Sequence, residues 1–132
     1  EKLDHGNSIG VVYADITGLK KVNDEQGHRA GDRLIRNAAD SLRDTFSEDA
    51  LFRIGGDELL AVCSGVKQDD FVQSVEKLRE NAKKRQVVLA IGATWQLQTP
   101  EDLDPLLTDA EWKMYDDKTR YYLEMGIERR RN

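Results

Sequence analysis

Cysteine is nearly absent from this 132-residue chain: Cys63 stands alone, which excludes an internal disulfide. It lies in an apolar run and is expected as a buried thiol of a reducing compartment. No apolar stretch approaches the length that spans a bilayer, and the start lacks a signal-peptide pattern. Any membrane attachment is therefore expected through other domains. Positive charge is not in excess either. Twenty Lys and Arg stand against 25 Asp and Glu, a net charge of -5, which argues against nucleic acid as a partner. A small phosphate ligand stays open, since it needs only a local cationic pocket or a metal. There is no internal repeat and no low-complexity segment. The first residue, Glu1, is not Met, so the chain reads as a domain excised from a longer protein.

What is present suits one soluble globular domain over residues 1–132, with 39% hydrophobic and 34% charged residues. Ser8 to Ile16 is rich in β-branched residues and reads as a buried strand, broken by Thr17-Gly18. From Gly31 the pattern turns helical, with Leu34, Ala38, Leu42 and Phe46 at steps of four. Ala50–Ile54 and Glu58–Cys63 read as short strands joined by a two-residue Gly55-Gly56 hairpin. Phe71, Val75, Leu78 and Ala82 mark a second amphipathic helix, with Asp69 or Asp70 as its expected cap. Val87–Trp95 is a fourth strand, and Pro100 and Pro105 suit helix starts. A last helix carries Leu106, Leu107, Ala110, Met114 and Tyr115, and residues 122–132 read as a polar tail or linker.

The order β-α-β-β-α-β followed by a helix predicts an α+β, ferredoxin-like antiparallel sheet with flanking helices. Right-handed crossover leaves room for the third strand between the first two. That topology sets the end of strand one, Asp15, beside the start of strand three, Asp57 and Glu58. Such acids raise one another's pKa unless a cation lies between them. An oxygen-only donor set suits Mg²⁺ or Mn²⁺, and metals held so can activate an attacking oxygen and stabilise a leaving pyrophosphate. The alternative is an acidic hairpin that is merely solvated. The following segment offers Lys20 for phosphate, and Asn23 with Asp32 as the amide and carboxylate that a guanine edge requires. Asn23-Asp24 also reads as turn chemistry, and Asp32 as a helix first-turn charge.

Two blocks carry a resemblance. Gly55-Gly56-Asp57-Glu58-Leu59 resembles the signature hairpin of the GGDEF family, the diguanylate cyclases, with Leu for the usual Phe. Asp15 through Asp32 is similar to the family's second block, D-x-D-x-F-K-x-x-N-D-x-x-G-H-x-x-G-D, with Thr17 at the second acid. The resemblance implies condensation of two GTP into cyclic di-GMP with release of two pyrophosphates. It implies Mg²⁺ or Mn²⁺ on Asp15, Asp57, Glu58 and the backbone carbonyl of Ile16. Asp57 would be base for the 3′-hydroxyl, with Glu58 and Lys20 in the catalytic set. Asn23 and Asp32 would read guanine, and Lys20 and Lys118 would contact phosphate. It further implies a homodimer of domains, a cytoplasmic location, and an upstream sensor or downstream phosphodiesterase domain.

The chain departs from the family in places. The arginine expected four residues after Lys118 is Tyr122, with Arg120 as the candidate substitute. At the family's R-x-x-D inhibition motif, Asp49 is in place but Phe46 stands for the arginine, so feedback inhibition there is not expected. The family's opening helix is expected before Glu1, so the piece reads as N-terminally truncated. The competing expectation is a catalytically degenerate GTP-binding domain that regulates a partner domain.

Overall fold

A computed structural model describes residues 7–47 and 50–131, with side chains as far as Gly126. The elements run β1 (Ile9–Ile16), α1 (Leu19–Gln26), α2 (His28–Thr45), β2 (Leu51–Arg53), β3 (Glu58–Ser64), α3 (Gln68–Lys84), β4 (Leu89–Gln96) and α4 (Asp104–Arg131). The sheet order is β2-β3-β1-β4, and every neighbouring pair is antiparallel. The expected α+β architecture is therefore present, with β3 between β2 and β1.

Strand β1 is central, and alternate residues serve opposite faces. Val12, Ala14 and Ile16 join Leu42, Phe71 and Leu78 in the larger core, under α2 and α3. Ile9 and Val11 face Leu106 and Ala110 of α4 in a smaller one. Asp15 has the parity of Ile9 and Val11, so it belongs to the face that α4 covers. Gly92 of β4 sets how closely α4 lies. A Cβ there would come within 1.9 Å of the Ala110 carbonyl oxygen and 2.2 Å of the Met114 nitrogen.

Several expectations need correction. Asn23 and Asp24 lie within a short helix, α1, and not in a turn. Gly18 opens that helix at φ 83 and Gly27 closes it at φ 89, conformations that favour glycine. α1 buries no residue, so it left no apolar stripe to read. The cap of α3 is Lys67 in extended conformation without a side-chain hydrogen bond; Asp69 and Asp70 sit in the first turn, where the helix dipole favours them. Pro100 lies outside a helix, while Pro105 follows the first residue of α4. Of the residues expected on the last helix, Tyr115 is exposed. The segment expected as a tail is helical through Arg131. Asp49 lies outside the described residues. No helix among the described residues is long and apolar enough to cross a membrane.

Candidate active site

The sheet brings Asp15 and Glu58 together as cross-strand partners, the last pair of the β1–β3 ladder. One residue beyond, the Ile16 N–H donates to the Asp57 carbonyl at 2.8 Å. The hairpin is longer than a two-residue turn. Residues 55–57 form the bend, and the N–H groups of Ile54 and Gly55 both donate to the Glu58 carbonyl, at 3.0 and 3.4 Å. Neither glycine takes a positive φ, the feature that a tight primed turn requires. Instead Arg53 holds the loop: its Nε donates to the Gly55 carbonyl at 3.1 Å and its Nη2 to the Gly56 carbonyl at 2.9 Å. Nothing lies within 4 Å of where a Cβ on Gly55 or Gly56 would be, so the backbone there is open to approach.

Asp15 is buried, only 4% exposed. Its Oδ2 accepts a hydrogen bond from Lys118 Nζ of α4 at 3.0 Å, while Oδ1 is buried without a partner. Burial pushes the Asp15 carboxyl above its ordinary range; Lys118 opposes this and the nearby Asp57 adds to it. Glu58 is raised first by burial, then by the charges of Asp15, Asp57 and Glu111. Burial pulls Lys118 down, but the hydrogen bond and charge of Asp15 leave it raised overall. The acids thus meet in one field, with an ammonium among them. They are not a ready-made cage: among the described residues no three His, Cys, Asp or Glu side chains stand together as a metal site. The donor set still fits a hard cation, because all its atoms are oxygens and one buried carboxylate oxygen has no partner.

A cleft of about 560 Å³ opens beside these acids, lined by Thr17, Lys20, Asp57, Lys118, Tyr121 and Tyr122 among others. Ile16 lines it as well. The Thr17 hydroxyl, at the family's second acid position, is buried and unpartnered. Asn23 packs directly over Gly31, where a Cβ would come within 1.7 Å of its Oδ1, one residue before Asp32. Asp32 borders a second groove of about 630 Å³, with Ile35, Arg36, Phe52 and Arg53. Arg120 is not brought to the Lys118 cleft. It lies 3.8 Å from Asp117 and lines a separate pocket with Arg79. Sequence reasoning missed Arg53, whose only signal was a cation two residues before the glycines. It also missed Glu111, which sits in an ordinary helical stretch.

The family model described as "Diguanylate cyclase, GGDEF domain" matches residues 1–121. The chain belongs to the GGDEF domain family. It is 30% identical over 88 residues, 66% of its length, to the diguanylate cyclase DosC of Escherichia coli K12. It is 43% identical over 63 residues, 47% of its length, to the cyclic di-GMP phosphodiesterase PdeR of the same strain. Those matches span 19% and 10% of the two relatives. Among solved structures, an EAL/GGDEF domain protein from M. capsulatus superposes with a TM-score of 0.76 at 26% identity, covering 91% of this chain and 84% of that one.

Proposed function

We propose that this domain is a diguanylate cyclase, joining two GTP into cyclic di-GMP and two pyrophosphates. The observation that carries the reading is Asp15: a buried carboxylate with an unpartnered oxygen, paired across the sheet with Glu58 and bonded to Lys118, which lines a cleft together with Lys20, Lys21 and Asp57. Asp15, Asp57, Glu58 and the Ile16 carbonyl would hold Mg²⁺ or Mn²⁺. When bound, the cation supplies Lewis-acid polarisation of phosphate and lowers the pKa of a bound hydroxyl. Asn23 and Asp32 orient the guanine, and Lys20 and Lys118 hold the phosphates. Asp57 takes the proton of the 3′-hydroxyl as its oxygen bonds to the α-phosphorus of the other GTP. The bond to pyrophosphate breaks in the same displacement. Each domain holds one GTP, so two domains must face each other, and the work belongs in the cytoplasm, where GTP is found. A sensor or phosphodiesterase domain in the full-length protein would set how often the two domains meet. Because Phe46 is a buried core residue at the arginine position of the inhibition motif, cyclic di-GMP is not expected to inhibit through that motif.

A second reading, a GTP-binding domain without turnover, is favoured by two observations. Tyr122 lines the cleft where the family has arginine, and Arg120 is turned to another pocket. Incubation with GTP and Mg²⁺, at increasing protein concentration and after forced dimerisation, separates the two. Cyclic di-GMP formed at a rate per domain that rises with concentration supports the cyclase. GTP binding without product under forced dimerisation establishes the second reading.

A further inference from the structure

Lys118 reaches Asp15 from 103 residues away, and its placement is peculiar for a phosphate ligand. Its ammonium does not project into the cleft alone; it sits 3.0 Å from the buried carboxylate oxygen of Asp15. The Asp15 side chain is 5% exposed and that of Lys118 31% exposed, so the pair is screened from water on the acid's side and open on the lysine's. The second oxygen of Asp15 is buried without a hydrogen-bond partner. The lysine also lines the cleft that Lys20 and Asp57 line. It is therefore within reach of two anions: the carboxylate it now holds and a phosphate that would enter the cleft.

We propose that Lys118 is a tethered counter-cation for Asp15: it occupies the cation side of the acid in the ligand-free domain, yields that place to an arriving divalent cation, and is thereby freed for phosphate. The inference rests on the reading of Asp15 as a metal ligand. The physical reason is repulsion. An ammonium and a divalent cation within about 4 Å of each other repel strongly even at the effective dielectric of a protein. A metal that arrives alone must expel the lysine and leave it without the anion that now pairs with it. A metal that arrives with a nucleotide expels it onto phosphate oxygens. Metal and nucleotide then bind with positive coupling, and the coupling is reciprocal. The acidic site would hold little divalent metal until a nucleotide comes with it.

The test uses Mn²⁺ alone, without nucleotide, titrated into the 132-residue chain by electron paramagnetic resonance, with melting curves at each metal concentration. Lys118→Met is expected to tighten Mn²⁺ binding about tenfold or more and to enlarge the Mn²⁺-dependent rise in Tm. Lys118→Arg keeps the charge and is expected to behave as wild type. Asp15→Asn is expected to abolish the binding. If Lys118→Met does not fold, Lys118→Gln, which keeps a donor for Asp15 without the charge, takes its place with the same expectation. Equal or weaker Mn²⁺ binding in the neutral variant, with Asp15→Asn still abolishing it, overturns the tether and leaves the metal site standing. Mn²⁺ binding indifferent to Asp15→Asn overturns the metal-site reading and this inference with it.

Discussion

Gly31 has no side chain, and the space where one would begin is taken by the amide of Asn23. The obstruction is the end of a side chain, not backbone, so Gly31→Ala leaves a way out: Asn23 swings aside. Alanine in a helix interior is worth about 1 kcal/mol over glycine. Gly31→Ala is therefore expected to leave stability unchanged or slightly raised while GTP binding weakens, as read by thermal melts beside GTP titration. A large drop in Tm would show that Asn23 cannot move. Asp15 carries the pH dependence. Its carboxyl titrates above the ordinary 3.8 in the folded chain, mainly because it is buried. The folded state keeps that proton longer than the unfolded state, so ionising the acid costs stability. Wild type measured against Asp15→Asn is expected to lose stability as pH rises from the ordinary value through the raised one, then to level off. Urea unfolding of both proteins across that range checks the sign. Cys63, pushed up to about 11 by burial, stays a thiol at neutral pH and is expected to react slowly with alkylating reagents. Asp15, Asn23, Asp32, Asp57 and Glu58 were legible as candidates because acids, amides and glycines break apolar patterns. The pairing of Asp15 with Lys118 was not legible, because it depends on how far along the sheet α4 docks.

At the scale of elements, the strands and long helices announced themselves through burial. β1 is buried along almost its whole length, and the stripes of α2 and α3 end in the larger core as their spacing implied. α1 escaped notice because none of its residues is fully buried, Leu19 alone of its apolar residues packing against the core, and the hairpin was misjudged because a bound side chain shapes it rather than glycine φ. Arg53 donates to two exposed loop carbonyls, so Arg53→Ala should cost little global stability, about 1 kcal/mol or less. Its effect should be local: faster hydrogen exchange at Gly55–Glu58, and a lower kcat if the hairpin acids act in turnover. Unchanged exchange there would show that the loop holds its shape without the arginine. Gly92 acts on a whole helix. Its added Cβ would meet α4 backbone, which cannot rotate away, so Gly92→Ala is expected to destabilise by about 2–3 kcal/mol. Because α4 carries Lys118, the same change should loosen the ion pair at Asp15. Backbone and side-chain chemical shifts of both residues would report it.

At the scale of the whole molecule, the acids sit at one end of the sheet, where β1, β3, the start of β4, α1 and the cleft-facing part of α4 meet. Fold and family were readable from element order and two motif blocks, since topology depends on coarse patterns. Whether two domains meet productively is a property of surfaces, and a surface leaves no period in a sequence. The Asp15–Lys118 contact has one further consequence, for the order in which the chain is made. Synthesis runs from the N-terminus, so Asp15 leaves the ribosome long before its cation exists, 103 residues earlier. Until α4 emerges, the face of β1 that carries this acid has no cover. The chain therefore completes its acidic centre only once α4 has been made, and a message cut short before α4 yields strands bearing the motif with a centre that never closes.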